Sequence, residues 1–106
     1  MIQISEVLII GPKVALAELG TILVEERLAA SCHLPTEVDS LYWWEGTIQR
    51  NNEVRLTLHT RTALVDLIAQ RTRQVHPYEL PSVTHYELHT TDNKYRQWIA
   101  ESTKEF

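Results

Sequence analysis

Two adjacent tryptophans, Trp43 and Trp44, limit the folds open to this chain more than any other feature of the sequence. The pair stands in an extended-looking segment, and neighbouring side chains of a strand point to opposite faces of a sheet. A chain of 106 residues is expected to have one hydrophobic core, so both indole rings cannot enter it. The second ring therefore requires a second apolar surface, which either another subunit or a ligand cleft would supply.

The composition is that of a globular protein, and we predict a single domain over residues 1–106. Hydrophobic residues make up 43% and charged residues 23% of the chain, enough to fold without a metal or a disulfide. A net charge of −4 without a block of lysine or arginine argues against a nucleic-acid partner. One cysteine, no signal peptide and no apolar run near the ~20 residues of a membrane span predict a cytoplasmic protein without a membrane partner.

The first part of the chain predicts a strand, a helix and a second extended segment. Residues 4–10 form an apolar run, typical of a strand buried on both faces. Leucines at helical spacing then predict a helix over residues 13–29. Residues 31–45 are expected to be extended, with an interruption near Pro35-Thr36.

A long hairpin should follow, because Gly46 turns the chain and a second strand comes after it. Asn51-Asn52 predict a loop or a bulge. In residues 53–59 apolar and polar side chains alternate with period two, which predicts a strand with one buried face.

The last part of the chain predicts a helix, a strand and a terminal helix. Thr60 or Thr62 is a candidate cap for the first of these helices, which should end by His76 because a proline follows. Residues 82–89 predict the last strand. Thr91 or Asp92 is expected to cap a terminal helix whose inner face carries Tyr95, Trp98 and Ile99.

This order of elements predicts an α/β (α+β) fold, a ferredoxin-like βαββαβ plait with an antiparallel sheet and a C-terminal helix. Both main helices should cover one face of the sheet. The other face would then be bare, and its aromatic side chains predict that oligomerisation covers it.

Two motifs, Tyr42-Trp43-Trp44-Glu45-Gly46 and His76-Pro77-Tyr78-Glu79, form a specific pattern at this separation, although each alone is a weak signal. Together with segments 24–30, 58–61 and 95–99, they make the chain resemble the CutA family of divalent-cation-tolerance proteins over nearly its whole length. The resemblance implies a ferredoxin-like homotrimer, a likeness to PII signalling proteins, and a role in tolerance to copper and other divalent metals. It brings no established catalytic reaction.

The resemblance also implies candidate copper ligands. In some members of that family, ligation is attributed to a cysteine in the first strand and a histidine pair before Pro-Tyr. The corresponding positions here hold Ile9, Val75 and His76, so only His76 carries over. The family's copper site is therefore incomplete in this chain.

His76 is the first candidate ligand for Cu²⁺ or another divalent cation, because imidazole suits borderline metals and this histidine begins a proline-stiffened loop. The alternative is that it caps carbonyls at the end of its helix. His85, Glu87 and His89 share one strand face, where residues two apart lie roughly 6.6 Å from each other. Glu87 with either histidine is a possible ligand pair, although a solvated polar face is the simpler interpretation.

For Cys32 and His59, a structural role is the simpler interpretation than metal binding. Cys32 is interpreted as a small buried hydrophobic residue, with a soft ligand for Cu(I) as the alternative. His59 faces away from the leucines of its strand and is expected on the surface near the hairpin.

Seven residues are candidates for a subunit interface or an intersubunit cleft, since aromatic side chains dominate interface energetics. They are Tyr42, Trp43, Trp44, Glu45, Arg61, Tyr78 and Glu79.

Three functions remain open. The first is a homotrimeric metal-tolerance protein that binds a divalent cation weakly. The second is a PII-like sensor or adaptor that holds a small anionic or nucleotide ligand between subunits, with Arg61 or Lys13 as the cationic lining. The third is a structural trimeric scaffold. An enzyme is not expected, because the chain carries no P-loop, Ser-His-Asp order or zinc-enzyme spacing.

Overall fold

The computed structural model describes residues 1–105, and for Pro35 the backbone only, so the last residue of the predicted domain, 106, lies outside it. Within residues 1–105 there are four strands and three α-helices, with one 3₁₀ turn before the second helix. The elements are β1 (Ile4–Gly11), α1 (Lys13–Glu25), β2 (Ser31–Trp44), β3 (Thr47–Arg61), the 3₁₀ turn (Thr62–Leu64), α2 (Val65–Val75), β4 (Val83–Glu87) and α3 (Asn93–Ser102). No helix within residues 1–105 is both long and apolar enough to cross a membrane.

The four strands form one antiparallel sheet in the order β2-β3-β1-β4. Each of the two crossovers runs through a helix, α1 between β1 and β2 and α2 between β3 and β4. The predicted βαββαβ plait with a C-terminal helix is therefore confirmed.

The core lies between the sheet and the helices α1 and α2. Its buried strand residues alternate with period two, with Val7 and Ile9 in β1 and Leu56 and Leu58 in β3. This confirms the prediction for β3, whereas β1 is not buried on both faces as predicted, since its other face is only half-buried. Three leucines of α1, Leu64 of the 3₁₀ turn, and Val65 and Ile68 at the start of α2 close over them. Each fully buried aliphatic side chain stabilises the fold by about 1.5–3 kcal/mol.

Helix α1 ends at Glu25, four residues before the predicted end. The backbone of Arg27 is left-handed, with φ 58°. The N–H of Leu28 donates to the carbonyl of Leu23 (2.9 Å), and that of Arg27 donates to the carbonyl of Val24 (3.0 Å). This pair of bonds is the Schellman motif, which ends a helix whether or not a glycine is present.

The hairpin of β2 and β3 is longer and more regular than predicted. Glu45 and Gly46 form the two-residue turn with φ 49° and 82°, as in a type I′ turn. The predicted loop at Asn51-Asn52 is wrong, since Asn51 pairs with Ser40 and the ladder continues through both asparagines. The ladder is irregular only on β2, between His33 and Thr36, where an interruption was predicted.

Neither predicted threonine caps α2. The hydroxyl of Thr60 donates to the carbonyl of Leu28 (2.5 Å), and that of Thr62 is hydrogen-bonded to Ser5 (2.7 Å). The 3₁₀ turn carries the chain into α2 instead, and no side-chain cap is made. The predicted end of α2 before His76 is confirmed.

Helix α3 covers one end of the sheet face that was predicted to be bare. Asp92 caps it by accepting from the N–H of Lys94 (2.7 Å), and Ile99 is fully buried. The prediction for Trp98 is wrong, because its side chain is 43% exposed and stacks on Tyr95 rather than entering the core. Residues three or four apart share one stripe of a helix, but where the helix crosses the end of a sheet they need not be buried to the same depth.

The tip of the hairpin lies outside the core. The first six residues of β3, 47–52, are all exposed. Trp43 is 72% and Trp44 36% exposed, so neither indole enters the core, and each needs a partner surface. Leu41 and Ile48 extend the exposed apolar surface around Trp43, and we call these three residues the hairpin patch.

Candidate functional site

A cleft of about 680 Å³ opens between strand β2 near the hairpin tip and the loop that links α2 to β4. Five of the seven residues predicted for a cleft or interface line it, namely Tyr42, Trp43, Trp44, Tyr78 and Glu79. Its volume falls in the range of small-molecule sites, about 300–1,000 Å³. The structure thus brings the two sequence motifs of the chain to one place.

Strand geometry and the prolines position this lining. Tyr42 and Trp44 are two residues apart in β2 and therefore share a sheet face, while Trp43 points to the other. The loop begins at His76, directly after the end of α2, and Pro77 restricts the backbone that leads to Tyr78 and Glu79. The hydroxyl of Tyr42 is held by the side-chain amide of Asn51 across the ladder.

Glu53 is the polar residue of the cleft that sequence reasoning missed. It is only 6% exposed, and its Oε2 accepts a hydrogen bond from the hydroxyl of Tyr78 (2.5 Å). Burial, followed by the hydrogen bond to Glu53 and the charge of that carboxylate, raises the pKa of Tyr78 well above its ordinary value. The tyrosine therefore remains a hydrogen-bond donor at any physiological pH.

The remaining lining is mostly apolar and was not predicted either. A two-residue turn at Glu45-Gly46 fixes the hairpin register, so that Glu53 lies opposite Val38. Counting residues outward from that turn would have predicted that Glu53 lies beside β2. Its contact with Tyr78 could not be predicted in this way, because it depends on the conformation of the loop. The other unpredicted lining residues are Ile10, Ser40, Leu41, Pro77, Leu80 and Ser82.

Two predicted residues lie away from the cleft lining. Arg61 is at the far end of β3, where it donates to Thr103 Oγ1 (3.0 Å) and to the carbonyl of Ala100 (2.5 Å) in the α3 region. Glu45 is in the hairpin turn itself. Neither Arg61 nor Lys13 supplies the predicted cationic lining, and within residues 1–105 no lysine, arginine or histidine lines the cleft. An anionic ligand held between subunits by these residues stays a prediction, because this lining belongs to a single copy.

His76 lies behind the cleft and is 6% exposed. Its Nε2 is 2.9 Å from the carbonyl of Ile10, and its Nδ1 accepts from the backbone N–H of Tyr78 at 3.1 Å. These partners assign the neutral tautomer with the proton on Nε2. The imidazole bonds to a strand carbonyl rather than to the helix carbonyls that the alternative interpretation named.

The imidazole of His76 occupies space that is open only because Gly11 has no side chain. A Cβ on Gly11 would lie 2.5 Å from His76 Nε2 and 2.9 Å from its Cε1. Any side chain at position 11 therefore displaces the ring or the loop. The glycine next to Pro12 serves close packing rather than a turn.

The residues at the family's copper positions do not fit a metal in this structure. Ile9 is fully buried in the core, and both ring nitrogens of His76 are already hydrogen-bonded. Among residues 1–105, no group of three or more histidine, cysteine, aspartate or glutamate side chains is arranged to hold a metal. Ligation by His76 stays a prediction, and it requires the ring to give up one of its two bonds.

The histidines of β4 and its C-terminal extension are more accessible. His85 and Glu87 are both exposed on the edge strand β4, which is shorter than the predicted 82–89. His89 Nε2 lies 3.7 Å from Glu87 Oε2 just beyond the strand. These side chains form a solvated face on which Glu87 and His89 are the close pair.

Cys32 packs against the core as predicted for a small hydrophobic residue. Its Sγ lies 3.0 Å from where a Cβ on Gly20 would stand, so this glycine makes room for the thiol. Burial raises the pKa of the Cys32 thiol. A thiol held protonated is a poor soft-metal ligand.

The family profile described as "CutA1 divalent ion tolerance protein" matches residues 7–102. The chain belongs to the CutA1 divalent ion tolerance family. It is 35% identical over 82 residues to the divalent-cation tolerance protein CutA of Pyrococcus horikoshii, covering 77% of this chain and 79% of that protein. It is 32% identical to the chloroplastic CutA 1 of Oryza sativa over 78% of this chain, but spans only about half, 47%, of that relative.

Solved CutA1 structures share the whole fold. The crystal structure of CutA1 from Oryza sativa superposes with a TM-score of 0.93 at 30% sequence identity, over 99% of this chain and 97% of that chain. CutA1 from Ehrlichia chaffeensis superposes with a TM-score of 0.88 at 26% identity over 99% of both chains. The resemblance inferred from the motifs is thus confirmed.

This CutA1 family member also carries a second polar cluster, on the sheet face away from α1 and α2, where α3 packs. His59 Nε2 donates to Glu6 Oε1 (2.9 Å), and His59 Nδ1 is hydrogen-bonded to the hydroxyl of Tyr95 (2.5 Å). The hydroxyl of Tyr86 donates to the other oxygen of Glu6. The surface position predicted for His59 is therefore wrong, because α3 closes over this end of the strand.

The cluster predicts an acid-sensitive contribution to stability. Burial alone would raise the pKa of Glu6, but the hydrogen bonds from Tyr86 and His59 and the charge of His59 hold it below the usual value. A carboxylate with a lowered folded pKa stabilises the fold above its unfolded pKa, and this contribution is lost as pH falls through the folded pKa. Glu6→Gln should therefore lower the free energy of unfolding at about pH 6 and have a smaller effect at about pH 3.

Urea unfolding at both pH values and one protein concentration measures this effect. Glu18→Gln, an exposed position on α1, is the matched control and should change stability little at either pH. An equal loss for Glu6→Gln at both pH values would mean that packing, not the charge, carries the contribution.

Proposed function

We propose that this chain is a homotrimeric divalent-cation-tolerance protein that takes part in the response to metal ions and binds Cu²⁺ or another divalent cation weakly. Family membership supports the role in divalent ion tolerance. The proposal includes no catalytic reaction, and it assumes the cytoplasm as the compartment.

The hairpin patch supports the trimer. Leu41, Trp43 and Ile48 are 68%, 72% and 57% exposed, which is unusual for clustered large apolar side chains on a monomer. The sheet also ends in two open edges, β2 and β4, whose backbone groups are free to pair. A neighbouring copy would cover both features.

Surface imidazoles support weak metal binding. His89 and Glu87 already lie 3.7 Å apart, and His85 is exposed on the same strand as Glu87. Imidazole nitrogen with carboxylate oxygen is a donor set that Cu²⁺ accepts. Two or three flexible ligands on a solvated face give a weak site, because the remaining positions are left to water.

Copper titration tests the metal part of this proposal. Calorimetry with CuCl₂ should show binding that His89→Ala weakens by about tenfold, since one of the few protein ligands is lost. His33→Ala, another exposed histidine, is the matched control and should leave the affinity unchanged. His76→Gln tests the family position separately. No heat and no spectral change at millimolar copper would end the metal proposal.

The cleft supports a second candidate function, a PII-like sensor or adaptor that binds a small molecule and signals to a protein partner. The carrying observation is the aromatic cleft of about 680 Å³ that joins both sequence motifs. Binding should raise the melting temperature by mass action. If neither metal nor small molecule binds, the structural scaffold is the function that remains.

A further inference from the structure

The electrostatics of the cleft limit what it binds. Two carboxylates, Glu53 and Glu79, belong to its lining, and within residues 1–105 no cationic side chain balances them there. An anionic ligand would be repelled at short range in a partly desolvated site. The lining that one copy supplies therefore disfavours negative charge.

Glu53 is the residue that points to a positive charge. It is 6% exposed, and in residues 1–105 the hydroxyl of Tyr78 is the one side-chain donor to it, on Oε2. Its Oε1 accepts no hydrogen bond from the described residues and is not one of their fully buried atoms, so this oxygen is open to the cleft. A ligand with N–H donors would complete this carboxylate.

The walls of the cleft suit an apolar body that carries a cation. Tyr42, Trp44 and Tyr78 place aromatic rings around the carboxylate, with Ile10 and Leu80 as aliphatic walls. Aromatic faces attract cations within about 6 Å of the ring centroid, most strongly when water is excluded. Apolar walls also favour burial of a hydrocarbon group.

We propose that the cleft binds a small organic ammonium, a protonated amine on an aromatic or branched apolar group. The ammonium donates to the free oxygen of Glu53, and the apolar group lies against Tyr42 and Trp44. This inference rests on the second candidate function and names its ligand class. It is independent of metal binding, because His85 and His89 are not part of the cleft lining.

Three matched probes test the charge preference. 2-Phenylethylamine, 2-phenylethanol and 3-phenylpropionate share the same ring and differ in charge. Calorimetry on the full chain at about pH 7, where the amine is protonated, should give an affinity for the amine at least about tenfold above that for the alcohol. The carboxylate should show no binding. Added salt should weaken the binding of the amine and leave the affinity for the alcohol unchanged.

Glu53→Gln tests the residue that carries the inference. The amide oxygen still accepts from Tyr78, so the change removes the charge and keeps the acceptor. Glu53→Gln should lower the affinity for the amine by about tenfold, so that the amine no longer binds more tightly than the alcohol. Glu18→Gln on α1 is the control of equal charge change and should have no effect. If Glu53→Gln does not fold, Glu79→Gln at the exposed rim of the cleft takes its place. That change should lower the affinity for the amine by about threefold.

The outcomes separate this inference from the function beneath it. Equal affinity for amine and alcohol, tighter binding of the carboxylate, or an unaltered amine affinity in Glu53→Gln overturns the ammonium inference while a small-ligand cleft stands. Failure of all three probes overturns the inference and the sensor function together.

Discussion

Trp43→Glu is expected to convert the proposed trimer of about 37 kDa into single chains of 12.3 kDa. Trp43 is 72% exposed at the centre of the hairpin patch, opposite Ile48 in the ladder and two residues from Leu41. Aromatic residues at the centre of an interface commonly contribute roughly 2 kcal/mol or more each. A carboxylate buried without a partner adds a desolvation penalty on top of that loss. Light scattering at about 10 µM protein measures the mass directly.

Val14→Glu is the matched control. Val14 is also 72% exposed but lies on α1, away from the hairpin, so the same change in charge should leave the mass unaltered. Circular dichroism should show that both variants keep the fold, because neither position contributes to the core. If Trp43→Glu stays trimeric, the hairpin patch is not the interface. If the unaltered chain is itself a monomer, the trimer and every site shared between subunits must be abandoned.

The fold was predictable because its signals are local and periodic. Alternation in β3 and helical spacing in α1 and α2 determine which face is buried, and the crossover rule leaves few topologies for this element order. The errors fall at ends and caps. The end of α1 was missed because the Schellman motif uses Arg27 where a glycine is the usual signal, and Thr60 was misassigned because its hydroxyl had a distant partner, Leu28.

The candidate site was predictable only in part, for a related reason. The aromatic residues of the cleft could be predicted, because an indole in a strand requires an apolar neighbour. Glu53 does not, because nothing local shows that Tyr78, 25 residues later, reaches its carboxylate. The hydrogen bond from His76 to Ile10 spans 66 residues, and no pattern in the sequence predicts it. Long-range polar contacts depend on loop geometry, which propensity does not encode.

The same long-range contact gives the second large expected effect. Gly11→Ala should lower the free energy of unfolding by about 2–4 kcal/mol, since overpacking costs about 1–3 kcal/mol and a broken buried hydrogen bond adds to it. The new Cβ would stand 2.5 Å from His76 Nε2. The ring has little room to yield, because the carbonyl of Ile10 and the N–H of Tyr78 hold its two nitrogens.

A double-mutant cycle shows whether the histidine is the cause. His76→Ala removes the ring that the new methyl group meets, so Gly11→Ala should destabilise the His76→Ala background by about 1–2 kcal/mol less than it destabilises the natural chain. Gly46→Ala is the control glycine, because its φ of 82° strains any side chain while no atom stands within 4 Å. Its effect should be about 1 kcal/mol and should be the same in both backgrounds. Additive losses for Gly11 and His76, measured by urea unfolding at one protein concentration, would show that close packing against the imidazole is not why position 11 is glycine.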